Sequence, residues 1–295
     1  MTAGPRIHVV GELMVDVIAH VHTASAPGSD APATITESDG GSAANVAAWL
    51  AHLGTPVDFI ARVGTDPRGD SALARLARAG VDVQAARDPS HSTGRCIVLV
   101  TPDGERTMFP DPGANAHLSP DDIDMEAWVS GEHLHVSGYS LIRTGSRAAP
   151  QARHARGRPR HHTQRLENTN QAPHSAPGAG AILAWLAPGD VVFANAAESV
   201  ALTGCSDPDD ALEALLARGL SPVIKLGPDG AVAGTGDGRW RVPAVTSDAR
   251  DSTGAGDAFA AGFLAAWTRD RDVAAALESA TRIAARAVSL PGGRP

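Results

Sequence analysis

Asp251-Ser252-Thr253-Gly254-Ala255-Gly256-Asp257, followed without a break by the apolar run Ala258 to Trp267, is the stretch that sets the class of fold. A glycine-rich turn opening a helix presents N–H groups with no intrahelical acceptor at the positive end of the helix dipole. That setting suits an anion, phosphate above all. Asp257 falls in the first turn of the helix, beside the anion site. A carboxylate there is placed to take the proton of a hydroxyl attacking phosphorus. The plainer reading is a tight turn whose aspartate merely favours a helix N-terminus, and the stretch alone supports both.

Working outward, strands and helices alternate. Ile7–Val10, then Gly11, then Met14–Ile18 form an apolar strand broken by a glycine and running on into alternating His20 and His22. Between Gly40 and Gly54, a glycine pair precedes Ala43, Val46, Ala47 and Leu50 at helical spacing. Phe59–Val63 and a helix from Asp70 to Ala79, closed by Gly80, repeat the unit. Arg95–Val100 and Thr107–Phe109 flank Thr101-Pro102-Asp103-Gly104 as a β-hairpin, which on a βα background suggests a lid. His133–Val136, Val191–Ala194 and Val223–Leu226 read as parallel strands, with a helix Asp209–Arg218 before the last. An alanine-rich helical stretch from Gly256 to Val288 closes the chain.

The 295 residues, 43% of them hydrophobic, suffice for one large α/β domain with a full core. A net charge of -8 argues against nucleic-acid or anionic-membrane partners and for a small ligand. Cys96 and Cys205 lie far apart with no Cys-x-x-Cys, so neither a disulfide framework nor a thiolate zinc site is expected, and the setting reads as cytoplasmic. No apolar run reaches the length of a membrane span, and no export signal is visible. Lys225 is the only lysine.

A second signal is Gly40-Gly41-Ser42-Ala43-Ala44-Asn45, followed one βα unit later by Gly64-Thr65-Asp66-Pro67-Arg68-Gly69-Asp70. A glycine pair lets a polyol approach the backbone, an asparagine one turn on both donates to and accepts from hydroxyls, and Asp16 at a strand end can bind two neighbouring hydroxyls. An ordinary turn, a helix-buried amide and a strand-end aspartate are the plainer alternatives. Together, in this order and separation, the two signals resemble the two signatures of the ribokinase-like (PfkB) carbohydrate kinases, and the resemblance covers nearly the whole chain.

The resemblance implies a doubly wound, mostly parallel α/β sheet with helices on both faces and a small β-sheet lid, drawn from about 17–38 and 94–110 of a single domain spanning 1–295. It implies an ATP-dependent kinase that transfers the γ-phosphate to a hydroxyl of a sugar. Asp257 would be the base, the backbone of Gly254, Ala255 and Gly256 the anion hole, and Asp16, Gly40, Gly41 and Asn45 the sugar site. Asn195-Ala196-Ala197-Glu198 resembles the family's Asn-x-x-Glu, which arranges Mg²⁺ and phosphate through water, and is equally a capping box. Lys225-Leu226-Gly227-Pro228-Asp229-Gly230 resembles the turn over which nucleotide phosphates lie, giving Asn195, Lys225, Gly227 and Gly230 as nucleotide contacts. Asp251 resembles the site where some members bind a monovalent cation such as K⁺, and the lid sheet often pairs in a homodimer. Pro112-Gly113-Ala114-Asn115 with Leu118-Ser119-Pro120 puts ribose first among substrates, ahead of ketoses, 2-keto-3-deoxygluconate and nucleosides. A sugar-binding protein without turnover is the competing class, against which Asp257 and its glycines count.

One segment departs from the family. Residues 148–180 contain Leu166 as their only large apolar side chain, with five arginines, four histidines and one acid. Such a stretch is expected to be irregular, where the family has a helix, a strand and a helix. Its composition is that of GC-rich DNA read out of frame: shifted forward one base, the codons of Arg156 to Thr163 permit Ala-Gly-Val-Pro-Val-Ile-Thr. The in-frame pattern resumes near Gly178 to Leu183. A member damaged across 148–180 is therefore a further reading.

Overall fold

The computed structural model describes residues 5–23, 28, 30–124, 132–142, 145–146, 148, 162–165, 177–290 and 292–295. In chain order the strands are β1 (Ile7–Val10), β2 (Met14–Val21), β3 (Ala33–Gly40), β4 (Val57–Gly64), β5 (Asp82–Asp88), β6 (Gly94–Val100), β7 (Arg106–Asp111), β8 (His133–Ser137), β9 (His162–Arg165), β10 (Val191–Asn195), β11 (Ser221–Lys225), β12 (Ala231–Thr235) and β13 (Gly238–Val242). The helices are α1 (Ser42–His52), α2 (Pro67–Arg78), α3 (Gly138–Ile142), α4 (Pro177–Trp185), α5 (Ala196–Thr203), α6 (Pro208–Leu216), α7 (Ala255–Asp270) and α8 (Val273–Val288).

Nine strands form the main sheet in the order β13-β12-β11-β10-β9-β8-β1-β4-β5. From β11 to β5 every pairing is parallel, and β12 and β13 are added antiparallel. Alternate residues of one strand enter different cores, which shows that both faces are covered. Val191 and Phe193 of β10 pack with α1, α7 and α8, whereas Val192 and Ala194 pack with Ile182, Trp185 and Leu215 from α4 and α6. Apolar runs such as Val191-Val192-Phe193-Ala194 follow from this two-sided burial.

Gly11 ends β1, and the chain leaves the main sheet to enter a second sheet of order β3-β2-β6-β7. Its inner face buries Met14, Cys96 and Val98. On its outer face Ile97 lies opposite Phe109, and both are more than half exposed, as is Ile35. This sheet occupies the places in sequence expected of a lid.

Two expectations gain detail. The helical stretch 256–288 is divided into two helices: Arg271 takes a left-handed φ of 58° after α7, and Asp272 caps α8 by accepting from the Ala275 N–H at 3.0 Å. The run Arg269-Asp270-Arg271-Asp272 has no apolar residue to bury and supplies a capping aspartate, which favours a break over continuation. Within 148–180, expected to be irregular throughout, residues 162–165 form β9, in register between β8 and β10, and α4 begins at Pro177. A parallel slot between two strands offers backbone donors and acceptors to any sequence, which is why a strand forms without an apolar pattern. Residues 149–161 and 166–176, on which the rest of that expectation falls, lie outside the described residues.

Candidate active site

The parallel strands point their carboxyl ends to one edge of the main sheet, where ligands of open α/β sheets bind. Glu12 follows β1 at that edge, and Asn195 and Lys225 end β10 and β11. Two helix N-termini converge beside them. Gly41, just before α1, has φ 91°, and a Cβ there would lie 2.6 Å from the Glu12 carbonyl oxygen. Gly254, just before α7, has φ 69°, and a Cβ there would lie 2.5 Å from the Gly293 Cα. Only glycine fits either position without strain.

The seam between α1 and α7 holds the predicted base. Asp257 is 2% exposed; its Oδ1 accepts from Ser42 Oγ at 2.7 Å and its Oδ2 from Asn45 Nδ2 at 2.9 Å. Asn45 Oδ1 in turn accepts from Arg294 Nε at 3.0 Å, which fixes the orientation of the amide, because a guanidinium can only donate. Trp49 Nε1 donates to the Gly293 carbonyl at 3.1 Å, tying residues 292–295 to α1. Glu12 Oε1 accepts from the Ser42 N–H at 3.1 Å and from Ser137 Oγ at 2.9 Å, bracing the start of α1 from β8. Asp16 on β2 lies against the glycine pair: a Cβ on Gly40 would be 2.4 Å from its Oδ2. Asp16, Gly40, Gly41, Asn45, Asp257 and Gly254 to Gly256 therefore meet in one place.

Asp251 lies at the other end of the turn. Its Oδ1 accepts from the Thr253 N–H at 2.8 Å and its Oδ2 from the Gly292 N–H at 3.1 Å. Arg106, the first residue of β7, pairs with Oδ1 at 2.9 Å and also donates to Thr253 Oγ1, linking the small sheet to the turn. Burial raises the Asp251 pKa, but these hydrogen bonds and Arg106 outweigh it and hold the carboxyl down at about 2. The carboxylate suggested for a monovalent cation is thus paired with a guanidinium in this structure.

Asn195 and Lys225 are neighbours in register across β10 and β11. Asn195 and Glu198 form a reciprocal capping box: the Asn195 N–H donates to Glu198 Oε2 at 2.6 Å, and the Glu198 N–H to Asn195 Oδ1 at 2.8 Å. Gly227 and Gly230 take φ of 62° and 90° in a turn closed by the Leu226 N–H to the Gly230 carbonyl at 2.8 Å. No three His, Cys, Asp or Glu side chains converge as a metal site among the described residues. A groove of about 810 Å³ lined by Gly189, Ser221, Trp240 and Arg271 lies at the opposite, amino edge of β10 and β11, away from these groups.

Sequence reasoning missed Ser42, Glu12, Arg106 and Arg294. Ser42 sat inside the quoted motif without a role. A glutamate directly after the Gly11 break was a readable signal for Glu12, but nothing local marked Arg106 or Arg294.

The profile of the pfkB family carbohydrate kinases matches residues 5–295. An ATP-dependent ribose-1-phosphate kinase from Halopiger xanaduensis is 33% identical over 305 residues, covering 98% of this chain and 94% of that protein. The crystal structure of adenosine kinase from Sinorhizobium meliloti superposes with a TM-score of 0.83 at 28% identity, covering 99% of this chain and 96% of that one. A fructokinase double mutant from Vibrio cholerae, solved with fructose, ADP and potassium ion bound, gives 0.81 at 26% identity, covering 99% and 94%. With its two-sided parallel sheet, its second small sheet and its paired helix starts, the chain belongs to the pfkB family of carbohydrate kinases, and it is an ATP-dependent carbohydrate kinase.

Proposed function

We propose that Asp257 is the general base of this kinase, that Gly254 to Gly256 bind the transferred phosphoryl group, and that Asp16, Gly40, Gly41 and Asn45 hold the acceptor. The observation that carries the reading is the buried Asp257 carboxylate in the first turn of α7, oriented by two donors from α1. An acceptor hydroxyl takes the place of one of those donors, gives its proton to Asp257 and attacks the γ-phosphorus, whose bond to the β,γ-bridging oxygen breaks so that ADP leaves. Backbone N–H groups at the helix start then receive the charge that develops on the phosphoryl oxygens, the Ala255 N–H turning to them from the Ser252 carbonyl.

Asn195, Lys225, Gly227 and Gly230 would hold the nucleotide, with Lys225 supplying positive charge to its phosphates. Mg²⁺, when bound with ATP, neutralises phosphate charge; Glu198 would reach it only through water, since one of its oxygens serves the capping box. No step needs K⁺ at Asp251. The small sheet would act as a lid, with its exposed Ile35, Ile97 and Phe109 face as a homodimer contact in a cytoplasmic enzyme. No helix among the described residues is long and apolar enough to cross a membrane. The acceptor is a sugar of the ribose class; the relatives named for ribose 1-phosphate and fructose keep both phosphorylated and free sugars in view.

The test is ADP release from ATP with ribose, ribose 1-phosphate, fructose, 2-keto-3-deoxygluconate and adenosine as acceptors. Acceptor-dependent ADP release with at least one is expected, and release with none contradicts the reading.

A further inference from the structure

Residue 294 enters the acceptor region from outside both motifs. The Arg294 side chain is only 13% exposed. Its Nε donates to Asn45 Oδ1 at 3.0 Å, its Nη2 to the Gly40 carbonyl at 2.9 Å, and its Nη1 stands 3.3 Å from Asp39 Oδ2. A guanidinium has five N–H donors and accepts nothing. Among the described residues two of them are used in hydrogen bonds, to Asn45 and Gly40, while Nη1 is only ion-paired with Asp39, so both terminal nitrogens keep N–H groups without a hydrogen-bond partner beside Gly40 and Asn45.

Asp39 is not Arg294's own counter-charge. Arg75 holds both of its oxygens, Nε to Oδ2 at 2.6 Å and Nη2 to Oδ1 at 2.5 Å. Burial pulls the Arg294 pKa down to about 10, Arg75 adds to the fall, and Asp39 and Asp16 recover only part of it. A buried cation that shares its carboxylate with another arginine has room for further anionic oxygen. Nη1 and Nη2 lie side by side in the guanidinium plane, the pair of nitrogens that can face two oxygens of one phosphate or carboxylate.

We propose that Arg294 selects acceptors bearing an anionic group, phosphate or carboxylate, beside the hydroxyl that is phosphorylated. This rests on the reading of the α1–α7 seam as the acceptor site. It gives residues 292–295 a role beyond packing against Trp49 and Gly254: they carry the specificity determinant into the site.

Calorimetry of the full chain with ribose, ribose 1-phosphate and 2-keto-3-deoxygluconate tests it without turnover. Wild type should bind at least one anionic acceptor about tenfold or more tighter than ribose. Arg294→Met should shrink that preference by about 10- to 100-fold, the effect of losing a charged hydrogen-bond pair, and Arg294→Lys should keep part of it. If Arg294→Met folds poorly, the lysine variant reads the same ratio, since a point charge replaces the fork. The phosphate and carboxylate arms tell which anion is taken. Ribose binding as tightly as both anionic acceptors, no measurable binding of either anionic acceptor, or an unchanged preference in both variants overturns the proposal. A standing preference with no ADP release from any acceptor would sink the kinase reading alone.

Discussion

Two regions have polar sequences in elements that an α/β fold ordinarily builds from apolar ones, and the chain holds them in different ways. At the α1–α7 seam Ser42, Asn45 and Asp257 are buried, yet each has a named partner, and the chain of bonds continues to Arg294. In β9, fifth of the nine strands, the sequence is His162-Thr163-Gln164-Arg165, while its neighbour β10 reads Val191-Val192-Phe193-Ala194. Backbone pairing on both sides orders β9, but a strand covered on both faces normally gains its stability from apolar side chains. The contrast is between a polar cluster joined by side-chain hydrogen bonds across the sequence and a strand joined to its neighbours through its backbone.

The largest expected effect comes from breaking the seam. Gly254→Val adds a side chain at φ 69° against Gly293, which should cost about 2–6 kcal/mol in strain and overpacking. Thermal unfolding should show Tm falling by several degrees, with turnover lost at the same time. An unchanged Tm would mean that the turn is not held as described.

Sharpening the other side of the comparison, replacing Thr163 and Gln164 with valine and isoleucine should raise Tm by several degrees, because burying a large apolar side chain contributes about 1.5–3 kcal/mol. Calorimetric unfolding of the double variant checks it. A Tm equal to or below wild type would show that β9 does not lie in a slot covered on both faces.

The smallest effect is electrostatic and belongs to the turn. Asp251, held at about 2 in the folded state, lies below the ordinary carboxylate value of 3.8. It therefore contributes stability that is fully present above that ordinary value and is lost as pH falls toward 2. Between pH 5 and 2, Asp251→Asn should show a shallower decline of Tm than wild type. Parallel curves would mean that Arg106 and the two N–H groups do not favour the charged form.

Much of this was legible in sequence because its signals are local. Glycine pairs before apolar helical runs located both helix starts, and short apolar runs located β1, β8, β10 and β11. The partners of Asp257 were harder to read. Ser42 and Asn45 lie 215 and 212 residues from it in sequence, and Arg294 lies 249 residues from Asn45, so only the folded chain brings them together. β9 was illegible for the reverse reason: its strand is set by the backbones of β8 and β10, and its own residues carry no period-two or apolar pattern. The break at Arg271 was hidden by alanines on both sides, although Asp272 was a readable cap.

The central claim is that the Asp257 carboxylate accepts the acceptor's proton. Asp257→Asn isolates it, since an amide can still accept from Asn45 and donate to Ser42 Oγ, leaving the seam intact. Steady-state ADP release with the best acceptor, alongside ATP binding and Tm, should show turnover falling by about 10²–10⁴-fold while ATP affinity and Tm stay close to wild type. A variant that keeps more than about a tenth of wild-type turnover would contradict the assignment, because loss of a general base costs at least roughly 10²-fold.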